Sequence, residues 1–243
     1  MAFPDGSRGC RAALIIPALN EEEPLGETLA RVPPGLFECV IVADNGSTDR
    51  TAEVARERGA RVVREPRRGY GAACLAAIAA LPLETECVAF LQADGSEDPV
   101  EAVKLLEPIA RGEADLVIGS RVMGRAEPGA LAPHQRFGNR LATFLIQLLY
   151  GRRYTDLGPF RAIRRDALER LRMRDRGYGW TVEMQVRAIE EGLRVLEVPV
   201  SYGRRRAGEG KVAGNLKASL LAGVKILTTV LRLRFRGRRR ASR

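Results

Sequence analysis

Histidine is nearly absent: His134 is the only one in 243 residues, and the four cysteines, Cys10, Cys39, Cys74 and Cys87, form no CxxC pair. Numbers alone therefore exclude an imidazole or thiolate zinc site, make Ser-His-Asp or Cys-His catalysis improbable, and argue against a disulfide framework. His134 reads as an ordinary loop residue. Any metal would have oxygen ligands, which suits Mg²⁺ or Mn²⁺. Long apolar runs are also missing, and none approaches the ~20 residues that cross a bilayer as a helix. The opening residues Met1 to Arg8 lack the apolar segment of a secretory leader, so a cytoplasmic location is expected. With 45% hydrophobic and 29% charged residues, what remains is an ordinary globular composition.

The formal charge of +10 is unevenly placed. From Gly203 to Arg243 there are ten Arg and three Lys against Glu209 alone, so residues 1 to 202 are slightly acidic. The basicity belongs to the tail and does not indicate a nucleic-acid-binding domain. Asn215 to Phe235 reads as a helix whose apolar arc holds Leu216, Leu220, Val224, Ile226, Leu227, Val230, Leu231 and Leu233. Lys225 and the closing arginines favour a helix lying in an anionic membrane interface over a spanning one. The alternative is a helix docked on the catalytic domain or on a dimer partner. The economical division is a catalytic domain over residues 1–212 and a membrane-associating basic amphipathic helix and tail over 213–243.

Short apolar strands alternate with helical patterns through the first 120 residues. Ala13 to Pro17, Val40 to Ala43, Arg61 to Val63, Val88 to Leu91 and Leu116 to Ile118 read as strands. Leu25 to Val32, Thr51 to Arg58, Ala72 to Leu81 and Val100 to Ile109 read as the helices between them. The fold class is thus α/β with a mostly parallel central sheet, in which ligands bind beyond the C-terminal strand ends. Further on, Gln135 to Tyr150 reads as one long helix, Tyr154 to Phe160 as a loop, Arg165 to Leu171 and Thr181 to Glu191 as helices, and Val195 to Tyr202 as a strand.

No GxxxxGK[ST] is present, and Gly69-Tyr70-Gly71-Ala72-Ala73-Cys74 departs from a dinucleotide fingerprint at its third glycine. Instead, three strand ends finish in carboxylates and amides: Pro17-Ala18-Leu19-Asn20-Glu21, Ala43-Asp44-Asn45-Gly46-Ser47-Thr48-Asp49, and Leu91-Gln92-Ala93-Asp94-Gly95-Ser96. Such ends can hold the base, ribose and metal-diphosphate of a nucleotide. Singly, Asp49 could be only a helix cap and Asn45-Gly46 only a turn.

These runs resemble the family 2 glycosyltransferases of GT-A fold, and within them the dolichyl-phosphate mannose synthase-like group. The resemblance continues through Arg68-Gly69-Tyr70-Gly71, Gly119-Ser120-Arg121, Asp156-Leu157-Gly158-Pro159-Phe160-Arg161, Gly177-Tyr178-Gly179-Trp180-Thr181-Val182-Glu183, Glu197-Val198-Pro199-Val200 and Gly208-Glu209-Gly210-Lys211. It implies a single Rossmann-like GT-A domain with Pro17, Ala18, Asn20, Glu21, Asp44, Asn45, Gly71, Gln92, Ala93 and Asp94 around a nucleoside-diphosphate sugar. Asp94 and Gln92 would hold Mg²⁺ or Mn²⁺. The family's Asp-x-Asp begins with Gln92 here, so one carboxylate is replaced by a weaker neutral donor and metal dependence is in doubt, with Glu97 and Asp98 close enough to compensate.

The implied reaction is an inverting transfer of a hexose from a UDP- or GDP-sugar to a polyprenyl phosphate at the cytoplasmic face of a membrane. Negative charge grows on the departing diphosphate, and Arg121, Arg136, Arg204 and Lys211 are candidates to stabilise it and to bind the acceptor. The last two lie on a glycine-rich segment able to close over substrate. An ionised phosphate acceptor needs no base, whereas a hydroxyl acceptor would need one, with Asp156 or Glu183 as the candidate carboxylates. Trp180 and Tyr178 are expected on the acceptor side. The same fold acting on a soluble hydroxyl acceptor, and a non-catalytic binding module, are the competing readings. Homo-oligomerisation or a membrane-spanning partner subunit would be compatible with either transferase.

Overall fold

The computed structural model describes residues 9–205 and 224–234. Strands β1 (Ala12–Ala18), β2 (Cys39–Asp44), β3 (Arg61–Arg64), β4 (Cys87–Phe90), β5 (Leu116–Ser120), β6 (Arg161–Arg164) and β7 (Val195–Pro199) form one sheet in the order β3-β2-β1-β4-β6-β5-β7. Only β6 is antiparallel to its neighbours. A sheet covered on both faces explains why the parallel strands read as continuous apolar runs. Alternate side chains divide between two cores. Ala13, Ile15, Val88 and Phe90 face one of them, which also takes residues of helices α3 (Tyr70–Ala79), α5 (Pro133–Tyr150), α6 (Arg165–Leu171) and α7 (Trp180–Glu190). Leu14, Ile16, Ala89 and Leu91 face the other, with α1 (Glu22–Ala30), α2 (Thr51–Glu57) and α4 (Ala102–Ala110).

Four expectations need correction. Strand β6 falls where the sequence reads as a loop running into a helix, because its first residue, Arg161, is a fully buried charge that breaks the apolar pattern. Strand β7 stops at Pro199, and Tyr202 makes only isolated bridges to Glu97 and Ala126. Helix α5 begins at Pro133, where a missing N–H costs nothing, and therefore contains His134. Its start is held by Gln135 Oε1, which accepts from Ala132 N at 2.9 Å, and it ends at the left-handed Gly151. Finally, Cys10 and Cys87 are joined in a disulfide. A separation of 77 residues hides this pair, but parallel pairing of β1 with β4 sets Ala12 opposite Cys87.

Residues 224–234 form a further helix, and its inner side docks on the domain. Thr229, Val230 and Leu233 are buried. Tyr150 Oη donates to Val230 O at 3.0 Å, and Lys225 Nζ lies 3.0 Å from Asp175 Oδ2. For that side the docking alternative is the one observed. The proposed boundary at 212/213 and the rest of the tail lie outside the described residues. Among the described residues no helix is long and apolar enough to cross a membrane.

Candidate active site

Every strand except β6 ends at the same edge of the sheet, and the chain order reverses between β1 and β4. That reversal opens a crevice for ligand at the carboxyl ends. The loops after β1 and β2 form its first wall, tied by reciprocal bonds. Asn20, held in a left-handed conformation at φ 49°, accepts on Oδ1 from Thr48 N at 2.8 Å, and its own N–H donates to Ser47 Oγ at 3.0 Å. Glu21 N donates to Thr51 Oγ1 and Glu22 N to Asp49 Oδ2, at 2.8 and 3.2 Å. Asp44 Oδ1 accepts from Ser47 N at 2.9 Å. Pro17 and Ala18 form the last residues of β1, with Ala18 buried under this wall.

Asn45 sets the second wall. Its Nδ2 donates to Glu65 O and Arg67 O at 2.9 and 2.8 Å, and its Oδ1 accepts from Gly69 N at 2.7 Å. An Asp could not make the two donations, so the amide at this position fixes the 65–69 loop.

The loop after β4 carries Gln92, Ala93, Asp94 and Glu97. Asp94 Oδ1 accepts from Ser96 N and Oγ at 3.1 and 2.6 Å, while Ser96 Oγ lies 3.4 Å from Gln92 Oε1. Ala93 is buried beneath them. Glu97 turns inward and accepts from Gln92 N at 2.9 Å, with no hydrogen-bond partner for Oε1 among the described residues. Burial, reinforced by the nearby Asp94 charge, pushes its pKa up to about 8 against the pull of the Gln92 N–H. Asp98 turns away to accept from Val100 N and to pair with Arg31 at 2.7 Å.

The segment after β7 crosses this loop through the Tyr202–Glu97 bridge and a Gly203 N to Ser96 O bond of 2.7 Å. It delivers Arg205, whose guanidinium joins Glu21 Oε2 and sits 3.5 Å from Asp94 Oδ2. Sequence reasoning named Arg204 and passed over Arg205. Arg204 instead donates to Pro128 O and, through its backbone, to Glu127.

Arg121, just past β5, is forked onto Asp156: Nε to Oδ2 and Nη2 to Oδ1 are both 2.8 Å, and Arg121 N adds a third bond of 2.9 Å. Its Cζ lies 5.1 Å from the centre of the Tyr202 ring. Burial opposes the Arg121 charge, but the bonds and attraction of Asp156 outweigh it, so its pKa is raised. Asp156 is itself positioned from behind. Glu197 Oε1 accepts from Asp156 N and Thr155 Oγ1 at 3.1 and 2.7 Å, and Gln185 Nε2 donates to Asp156 O at 3.0 Å.

Other expected site residues lie elsewhere. Trp180 has no exposed surface and packs near Phe90 in the core, so it cannot line an acceptor channel. Glu183 is buried, with Oε2 accepting from Arg174 N and Asp175 N and Oε1 paired with Arg187 at 2.8 Å. It holds the 174–179 loop. Gly71 faces the Asp175 carbonyl so closely that no Cβ would fit, so packing against the 174–179 loop accounts for a glycine at this position. Arg136 is exposed on α5, and Lys211 lies outside the described residues.

A GT-A-type sugar transferase is the class that this sheet order and acid-lined edge define. The chain matches the model of glycosyl transferase family 2 over residues 13–172, and it belongs to that family. It is 41% identical over 216 residues to an uncharacterized glycosyltransferase of Mycobacterium tuberculosis, covering 88% of this chain and 95% of the relative. It is 30% identical over 226 residues to the undecaprenyl-phosphate mannosyltransferase of Micrococcus luteus, covering 88% and 92%. Among solved structures, it resembles the glucosyl-3-phosphoglycerate synthase of M. tuberculosis in complex with Mn²⁺, UDP and glucosyl-3-phosphoglycerate. The TM-score is 0.74 at 25% identity, over 92% of this chain and 79% of that one.

Proposed function

We propose that this glycosyltransferase moves a hexose from a UDP- or GDP-sugar to a polyprenyl phosphate while held peripherally on the cytoplasmic face of a membrane. The observation that carries the acceptor class is the state of the two candidate bases. Both oxygens of Asp156 are bonded to Arg121, and those of Glu183 are bonded to the backbone of the 174–179 loop and to Arg187 on its own helix. A hydroxyl acceptor needs its proton removed, and these carboxylates are committed to other partners; a lipid phosphate already presents an anionic oxygen. The similarity to an undecaprenyl-phosphate mannosyltransferase supports the same acceptor.

In this reading the nucleoside lies between the loops after β1, β2 and β3, and the diphosphate meets Asp94 and Arg205. Among the described residues no three His, Cys, Asp or Glu side chains converge as a metal cage. The donors present, one carboxylate from Asp94 and one amide oxygen from Gln92, fit a Mg²⁺ or Mn²⁺ ion that takes its other ligands from phosphate and water. Such an ion supplies positive charge against the departing diphosphate. Arg205 is released from Glu21 and Asp94 to bond the diphosphate oxygens, and Arg121, oriented by Asp156, binds the acceptor phosphate. The phosphate oxygen then attacks the anomeric carbon as the diphosphate leaves, in a single displacement that inverts that centre.

Purified protein incubated with radiolabelled UDP- and GDP-hexoses and Mn²⁺, with and without polyprenyl phosphate, tests this directly. Label entering the organic phase is the expected result. Label confined to a water-soluble product would overturn the lipid acceptor and favour the second reading, a soluble acceptor, which the likeness to glucosyl-3-phosphoglycerate synthase supports. No transfer and no nucleotide release from any donor would leave only a binding module.

A further inference from the structure

Docking of helix 224–234 covers two of the residues expected to meet lipid, Val230 and Leu233, and leaves Val224 and Leu231 exposed beside a second surface. Helix α5 exposes Phe137, Phe144 and Leu148, each more than half accessible. At 100° per residue these three side chains fall within about 40° of one another, along a ridge about 16 Å long. Ala142 and Ile146, on the opposite side, are fully buried, so the ridge is the outward side of a firmly seated helix. Scattered exposed apolar residues are ordinary, but an aligned row containing two phenylalanines marks an interaction site.

Charge identifies the occupant. From Pro128 to Thr155 the chain contains no Asp or Glu, while Arg136, Arg140, Arg152 and Arg153 are all exposed. The helix beside it, joined to α5 through Tyr150 and Val230, likewise has no acidic residue and exposes Val224, Leu231 and Arg232. A second copy would bring two surfaces of the same sign together, whereas an anionic bilayer complements both the charge and the apolar ridge. The position fits as well. Asn139, on the same helix, bonds Thr155 O and Leu157 N at 3.1 and 2.9 Å, on either side of Asp156, and the exposed Val122 and Met123 follow Arg121.

We infer that the outward face of α5 is the membrane-seating surface of this enzyme, with Phe137, Phe144 and Leu148 entering the acyl boundary and the flanking arginines meeting anionic headgroups. This extends the lipid-phosphate reading by giving Arg121 its bearing toward the bilayer, but vesicle binding can be measured whatever the acceptor is.

Co-sedimentation of the full chain with phosphatidylcholine vesicles, with and without phosphatidylglycerol, tests the inference. Wild-type protein should bind the anionic vesicles. The double variant Phe144→Ser/Leu148→Ser should bind them at least about tenfold more weakly, with an unchanged melting temperature and unchanged hydrolysis of the sugar donor. Arg136→Ser/Arg140→Ser should bind both vesicle types alike, and Leu83→Ser, an exposed residue between α3 and β4, should behave as wild type. Undiminished binding by the Phe144/Leu148 variant would overturn the inference, as would wild-type protein that ignores both vesicles. A variant that dissociates a dimer, or one that melts lower, would also overturn it, in favour of a second copy or of residues 206–223 of this chain as the occupant. If vesicle binding follows these expectations while label never enters lipid, the acceptor reading fails and the seating surface stands.

Discussion

Arg121 and Asp156 are locked together as a two-pronged pair, with Nε and Nη2 each 2.8 Å from a carboxylate oxygen. The carboxylate is itself fixed through its backbone by Glu197 and Gln185. In the proposed reading Asp156 is a positioning residue: it aims a guanidinium, and both of its oxygens are engaged in doing so. Its substitution should therefore cost activity through Arg121. Asp156→Asn and Arg121→Lys should each lower kcat about 100-fold, in the range seen when a charge-stabilising donor is lost. The double variant should be no worse than the poorer single one, because the residues act as a unit. Steady-state kinetics on the three proteins decides this. Losses that multiply would make Asp156 an independent base.

Arg205 bridges Glu21 and Asp94, so it neutralises two carboxylates where the proposed reading brings the diphosphate. Arg205→Ala leaves those carboxylates without that counter-charge and removes a charged donor. The dissociation constant for UDP or GDP should rise about tenfold, the size of a lost charge-assisted hydrogen bond. Calorimetric titration with Mn²⁺ present measures it. Tighter binding would mean that Arg205 blocks the site instead of completing it.

Arg121 and Arg205 are not equally legible in the sequence. Strand ends such as Leu91-Gln92-Ala93-Asp94 announce themselves because a buried parallel strand is an apolar run that must stop where polar groups begin. Arg121 follows such an end. Arg205 follows none, and its place depends on Tyr202 and Gly203 crossing the loop after β4, a tertiary fact with no local signal. Strand β6 was hidden by Arg161, whose buried guanidinium is satisfied by the carbonyls of Leu157, Gly158 and Thr181 rather than by a carboxylate. Trp180, expected on the acceptor side, instead opens α7 with no exposed surface and packs near Phe90, because nothing local in the sequence tells a core aromatic at a helix start from one lining a channel. Amphipathicity marked a helix over the described residues 224–234 but could not say whether protein or lipid covers its apolar side.

Glu97 should make stability depend on pH in the sense opposite to an ordinary ion-paired acid. Its carboxyl is raised from 4.5 to about 8 by burial among Asp94, Arg121 and Tyr202. Below pH 4.5 it is protonated in the folded and unfolded chain alike. As pH rises toward 8 the unfolded chain gives up the proton first, so this contribution is lost through that window, by at most about 1.4 kcal/mol per pH unit. Glu97→Gln removes the titration. The melting temperature of wild type relative to Glu97→Gln should fall between pH 5 and 8, read by calorimetry, while parallel curves would show that the carboxyl is not held protonated.

Gly71 carries a packing constraint that a single methyl group tests. Its Cα lies against the Asp175 carbonyl, and its N–H donates to Gly177 O at 3.3 Å. Gly71→Ala forces the 174–179 loop away and should destabilise the fold by about 1–3 kcal/mol, as overpacking does. Gly138→Ala, with nothing within 4 Å of the new methyl, should instead be neutral or slightly stabilising. Urea unfolding of both variants makes the comparison. Equal stability of Gly71→Ala and wild type would mean that the start of α3 and the 174–179 loop are not in contact.

Gln92 places an amide where the family's pattern has a carboxylate, and this bears on how the donor is held. With one carboxylate instead of two, the site should bind a free divalent ion poorly and gain most of its metal affinity only when the diphosphate supplies further oxygens. Mn²⁺ titrated alone should therefore show weak binding that UDP or GDP strengthens, and nucleotide binding should weaken by the same factor when EDTA removes the ion. Gln92→Asp should raise affinity for the free ion, about tenfold or more, by adding a charged ligand. Asp94→Asn should abolish the coupling between ion and nucleotide, since the remaining donors are neutral. Paramagnetic relaxation of water by Mn²⁺ reports ion binding without turnover. Coupling that survives in Asp94→Asn would move the ion away from the loop after β4, and with it the diphosphate.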